Sequence, residues 1–141
     1  MAREVKEGAA PARRALAALL CACVLAAPSA SPAGELETWT RQIKNDADFK
    51  VRLSAGLRLG QLGDRRAVPA LIDALADEVG TVRAVSASAL AKLVDKKVSA
   101  AERARALQIL RQLAAGDPDQ PVRRAAAAAV DALEFVERVA R

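Results

Sequence analysis

The stretch PALIDALADEVGTVRAVSASALAKL, Pro69–Leu93, decides the fold. Pro69 to Leu75 places apolar residues at helical spacing, Asp77 to Thr81 is short and turn-like, and Val82 to Leu93 resumes the helical pattern. The segment predicts a helix, a tight turn and a second helix. Its Asp-x5-Arg spacing, Asp77 with Arg83, occurs twice more, as Asp46 with Arg52 and Asp117 with Arg123. Each Arg follows a Val (Val51, Val82, Val122), and the copies are 31 and 40 residues apart. Steps of this size mark stacked helical hairpins.

The runs that follow each Val are in register. Eight positions on stand Leu59, Leu90 and Val130; eleven on stand Leu62, Leu93 and Leu133. Four positions on are the small residues Ala55, Ser86 and Ala126. Offsets of 0, 4, 8 and 11 share one helical face, so each run predicts a helix with one buried side and a narrow centre that lets a neighbour approach.

This pattern resembles the HEAT repeat, in particular the short variety first known from bilin lyases. That family has a Pro in the first helix, an Asp eight residues later in the turn and a Val-Arg shortly after. Pro69, Asp77 and Val82-Arg83 match all three, whereas Thr38 and Ile109 stand at the Pro position of the other copies. The resemblance covers roughly Leu36 to Arg138. It implies an all-α fold, a short α-solenoid of three antiparallel helix pairs. It also implies that Asp46, Arg52, Asp77, Arg83, Asp117 and Arg123 form a structural ladder between repeats.

Working outward, the hairpins fall at about 35–63, 66–94 and 99–140. In the first, Leu36, Trp39 and Ile43 make an apolar stripe, Asp48 caps the second helix and Gly63 stops it. In the second, Val68, Leu71, Ile72 and Leu75 face inward, Pro69 sits in a first turn, and Thr81 is the expected cap of the helix from Val82. In the third, Ser99 and Glu102 read as a capping box, and Leu107, Leu110, Leu113 and Ala114 face inward. Phe135, Val136 and Val139 lie beyond the shared pattern; they fold back as a terminal cap or form an interface.

Residues 1–33 differ from the rest. Arg13-Arg14, an apolar run from Ala15 to Ala27 and the small, helix-breaking Pro28 to Ala33 form the three-part layout of a signal peptide, cleaved after Ala30 or Ala33. Residues 34–141 would then be the repeat domain, periplasmic or secreted. Thirteen apolar residues fall short of the ~20 a membrane span needs. An uncleaved anchor, or a lipoprotein lipidated at Cys23, is the alternative. Both cysteines, Cys21 and Cys23, lie in this leader, so the remaining chain offers no disulfide and no thiol.

Composition narrows function further. The chain has no His and no Tyr, one Trp and two Phe. Without His or Cys beyond the leader there is no usual general base, thiol nucleophile or soft metal ligand. No catalytic residue, metal site, cofactor or small-molecule substrate is therefore assigned. The net charge of +5 falls to +3, 18 basic against 15 acidic, when the leader's four basic and two acidic residues are set aside. Few aromatics for stacking and a modest charge disfavour nucleic acid. On the family's architecture the second helices line the concave side, where Leu53, Leu57, Ala84, Ser88, Arg124 and Phe135 form the candidate surface for a protein or peptide. Leu53 and Leu57 have a second reading, packing against the helix from Leu36 to Ile43. The rival function is self-association, a homodimer through the last helix.

Overall fold

The computed structural model describes residues 31–141; the leader's apolar run, Cys21 and Cys23 lie outside the described residues. Six α-helices follow in order: α1 (Pro32–Asn45), α2 (Phe49–Leu62), α3 (Val68–Ala74), α4 (Gly80–Leu93), α5 (Ala100–Gly116) and α6 (Gln120–Ala140). A 3-10 turn, Arg65–Ala67, precedes α3, and there is no strand among the described residues. Short links pair α1 with α2, α3 with α4 and α5 with α6. The pairs stack into an all-α solenoid in which α2, α4 and α6 pack closely on one another, while α1, α3 and α5 touch more sparsely.

Local chemistry sets the helix ends. The Asp48 side chain accepts from the Lys50 N–H at 2.9 Å, and α2 stops at Gly63, whose φ of 69° is open to glycine without strain. The Ser99 hydroxyl accepts from the Glu102 N–H, and the Glu102 carboxylate accepts from the Ser99 N–H, so α5 opens with a capping box. Thr81 does not cap α4. The helix begins at Gly80, because the Asp77 carboxylate already holds the Val79 N–H at 2.9 Å and tightens the turn ahead of Thr81. The link after α2 is likewise tighter than its sequence suggests. Asp64 accepts from the Arg66 backbone N–H, and Arg66 folds its guanidinium back onto the same carboxylate.

The core runs unbroken through the stack. Val68, Leu71 and Ile72 from α3, and Leu75 just past its end, are buried in one core with Leu90 and Leu93 of α4, and Leu107 and Leu110 of α5 join Ala126, Ala129 and Leu133 of α6. The small positions Ala55, Ser86 and Ala126 are all buried; Ser86 donates its hydroxyl to the Val82 carbonyl at 2.9 Å, so no polar atom is wasted. A methyl added at Gly60 would stand 3.1 Å from Ala89 Cβ, and one at Gly56 would stand 3.1 Å from Val85 Cγ1. Side chains this small bring α2 and α4 together.

Edges of the stack depart from the shared pattern for one physical reason. Val51 and Leu62 are only half-buried where Val82 and Leu93 are buried, because no hairpin among the described residues precedes the first. Leu113, Ala114 and Val130 are half-buried at the other edge. The last helix does not fold back: α6 continues to Ala140, with Leu133 buried, Val136 half-buried, and Phe135 and Val139 exposed at 61% and 53%.

Candidate functional site

Three loops share one arrangement. In each, an Asp turns its carboxylate back onto the N–H two residues on: Asp46 to Asp48, Asp77 to Val79 and Asp117 to Asp119, at 3.0, 2.9 and 2.9 Å. The Arg six residues after each Asp then ties down the loop's own carbonyls. Arg52 Nη1 donates to the carbonyls of Asp46 and Ala47, Arg83 Nη1 to those of Asp77 and Glu78, and Arg123 Nη1 to those of Asp117 and Pro118. Two of the three arginines also reach the next loop. Arg52 Nε and Nη2 fork onto Asp77 at 2.7 and 3.0 Å; Arg83 Nε and Nη2 fork onto Asp117 at 2.8 and 3.0 Å.

The fork needs arginine, because a planar guanidinium matches both carboxylate oxygens and retains a third nitrogen for the loop carbonyls. Glu78 and Asp119 add a second carboxylate to Arg52 and Arg83 at 3.1 and 3.2 Å. The hydrogen bond from Arg83 holds the Asp117 carboxyl below its ordinary value despite burial, and the Asp119 N–H helps. The hydrogen bond to Asp77 raises the Arg52 guanidinium further above its ordinary value. Arg52, Arg83 and Asp117 are thus each held in the charged form by a partner in a neighbouring repeat. The ladder fastens one hairpin to the next.

Beside the ladder, an apolar groove of about 590 Å³ opens across α2, α4 and α6. It is lined by Leu53 and Leu57 of α2, by Val79, Gly80, Thr81, Ala84 and Val85 at the start of α4, and by Asp119, Pro121 and Val122 at the start of α6. Leu57 is 49% exposed and Leu53 half-buried, and Gly56 between them faces α1, a Cβ there standing 3.4 Å from Ile43 Cδ1. At this size the groove is within the ~300–1,000 Å³ range of ligand-binding clefts. Its shape comes from the first turns of α4 and α6 converging beneath the middle of α2. The Asp119 carboxylate occupies the space a side chain at Gly80 would take, a Cβ there lying 1.8 Å from Asp119 Oδ2.

The structure gathers Leu53, Leu57 and Ala84 at this groove but not Ser88, Arg124 or Phe135, which are exposed elsewhere on the same helices. Phe135 lies thirteen residues past Val122, ~20 Å along the helix, so a strip of equal offsets does not stay in one cleft. The sequence reading missed Val79, Gly80, Pro121 and Val122, and had Thr81 as a cap. The only signal was their position just before or at each Val, where the helix starts meet. The three arginines of α5 are each engaged. Arg105 pairs with Asp73 and Arg111 with Glu134, and Arg103 donates to the Val98 carbonyl. Among the described residues no group of His, Cys, Asp or Glu could hold a metal ion, and no helix is long and apolar enough to cross a membrane.

Comparison with known proteins agrees with this geometry. The family model for HEAT repeats matches residues 36–131, more than half of the chain. No curated protein matches it. The match spans α1 and nearly all of the stack to the middle of α6, including all three Asp and Arg loops. The chain belongs to the HEAT-repeat family.

Proposed function

We propose that this chain is a non-catalytic interaction scaffold that takes a protein or peptide partner on the concave face of its solenoid, in the groove walled by Leu53 and Leu57. The carrying observation is Leu57: a large aliphatic side chain, 49% exposed, over an apolar cleft. Burying the exposed half of this side chain against a partner is worth roughly 1 kcal/mol, which a solvated position forgoes. The closer packing of α2, α4 and α6 supports their assignment to the inside of the curve. HEAT repeats serve as scaffolds for interactions, and the absent His, Tyr and post-leader Cys argue against chemistry in this groove. The layout of residues 1–33 supports export to the periplasm or the medium. The site of action is therefore taken to be extracytoplasmic.

The experiment is affinity capture from extracytoplasmic extract, with the wild-type chain and Leu53→Glu/Leu57→Glu as paired baits. A protein retained by the first and lost by the second supports the groove. Equal capture by both, or none by either, removes it. N-terminal sequencing of the exported chain reads the leader independently, with a start at Ser31 or Gly34 expected.

A further inference from the structure

The register between inner helices has a consequence at the two ends of the stack. Counting from each Val, positions 5 and 9 of α2 (Gly56, Gly60) meet positions 3 and 7 of α4 (Val85, Ala89). Burial follows the same rule. Position 5 is buried at Gly56 and Ala87 but exposed at Ala127, and position 7 is buried at Ala89 and Ala129 but exposed at Arg58. Position 9 is half-buried at Gly60 and Ala91 and exposed at Asp131; position 3 is half-buried at Val85 and Ala125 and exposed at Ser54. One end of the stack therefore presents Ser54 and Arg58, and the other Ala127 and Asp131. Continued by one step, the register sets Ala127 against Ser54 and Asp131 against Arg58, small on small and acid on base.

The ladder is open at the same two ends. The carboxylates of Asp77 and Asp117 each accept a forked guanidinium from the preceding repeat, whereas the Asp46 carboxylate accepts only the Asp48 N–H. Arg52 and Arg83 each donate forward, whereas Arg123 donates only to its own loop carbonyls. Among the described residues neither Arg58 nor Asp131 has a polar partner.

We infer that the chain stacks head-to-tail on a second copy of itself, Arg123 and Asp131 of one copy meeting Asp46 and Arg58 of the next. This surface is separate from the groove and does not rest on it. A contact between unlike faces leaves each copy with one free end, so it propagates into oligomers instead of stopping at a two-fold dimer. Its charge pairs lie at the rim of a small interface, so assembly is expected to rise with concentration and weaken with salt.

The test is sedimentation of the full chain over micromolar to millimolar concentration, at low and high salt. Wild type is expected to exceed its 14.8 kDa monomer mass as concentration rises, and to lose mass with salt. Arg58→Asp and Asp131→Arg are each expected to stay monomeric, with association weakened about tenfold or more by facing like charges. Mixed in equal amounts, they restore assembly, because each then meets an opposite charge at every contact. Leu57→Glu is expected to assemble as wild type. A monomeric wild type, a mixture that fails to assemble, or single variants that assemble unchanged, as an α6-to-α6 dimer through Phe135 would, overturns the inference.

Discussion

Arg83 and Asp117, separated by 34 residues of chain, meet as a two-pronged pair, Nε to Oδ2 at 2.8 Å and Nη2 to Oδ1 at 3.0 Å. The same guanidinium holds two carbonyls of its own loop, so one side chain fixes a turn and fastens it to the next repeat.

Arg83→Lys is expected to behave nearly as badly as Arg83→Ala. An ammonium supplies the charge but cannot span both carboxylate oxygens and the loop carbonyls together. Either change is expected to cost about 1.5–3 kcal/mol, the range for hydrogen bonds to charged groups. Urea unfolding of both variants, with Asp117→Asn completing a double-mutant cycle, measures it; additive losses would show the pair is not coupled.

Acid should loosen the ladder in a defined window. Asp117 titrates below its ordinary value of 3.8 in the folded chain because Arg83 stabilises the carboxylate. The unfolded chain therefore takes up this proton first as pH falls. The stability tied to Asp117 is present above pH ~4 and is lost as pH drops through the lowered folded value. Melting temperature against pH between 2 and 5 should fall less steeply for Arg83→Ala than for wild type. Parallel curves would show that Asp117 contributes nothing to the acid response.

Core and groove leucines should separate cleanly. Leu90 is fully buried, so Leu90→Ala is expected to cost about 2–5 kcal/mol. Leu57→Ala, at an exposed position, should change stability by no more than about 0.5 kcal/mol. Chemical denaturation of the two variants checks both. A large loss at Leu57 would mean the side chain supports the fold and is not held out for a partner.

Close approach of α2 and α4 depends on an absent side chain. A Cβ at Gly60 already lies tight against Ala89, so Gly60→Leu must wedge the helices apart, at about 1–3 kcal/mol for overpacking. Gly60→Ala adds one methyl at 3.1 Å and gains helix propensity, so it should be near neutral. Thermal unfolding of the pair of variants distinguishes a packing role from tolerance.

Much of this architecture was legible because it repeats. The copies agreed on the Asp, the Val-Arg and the small residue at position 4, and chance does not align three such sets. What one template cannot express is the difference between neighbours. It gave Val51, Val82 and Val122 one environment, yet Val51 has no preceding hairpin among the described residues to cover it. It also projected the binding strip along separate helices, whereas the groove forms where helix starts converge, and so included Phe135 and omitted Val79 and Pro121. The Asp64 and Arg66 pair escaped notice because it closes within a three-residue link and belongs to no repeat.

The ladder bears also on how the chain folds. Its forks join residues 25 and 34 apart, and among the described residues the main helix contacts are within a hairpin or with the adjacent one. Closing such short segments costs little entropy and places the protein among fast folders of low contact order. Among the described residues the middle hairpin alone has a neighbour on both sides. Amides of α4 should therefore exchange with solvent last, with protection fading outward to α1 and to the end of α6, as a chain of nearest-neighbour couplings requires.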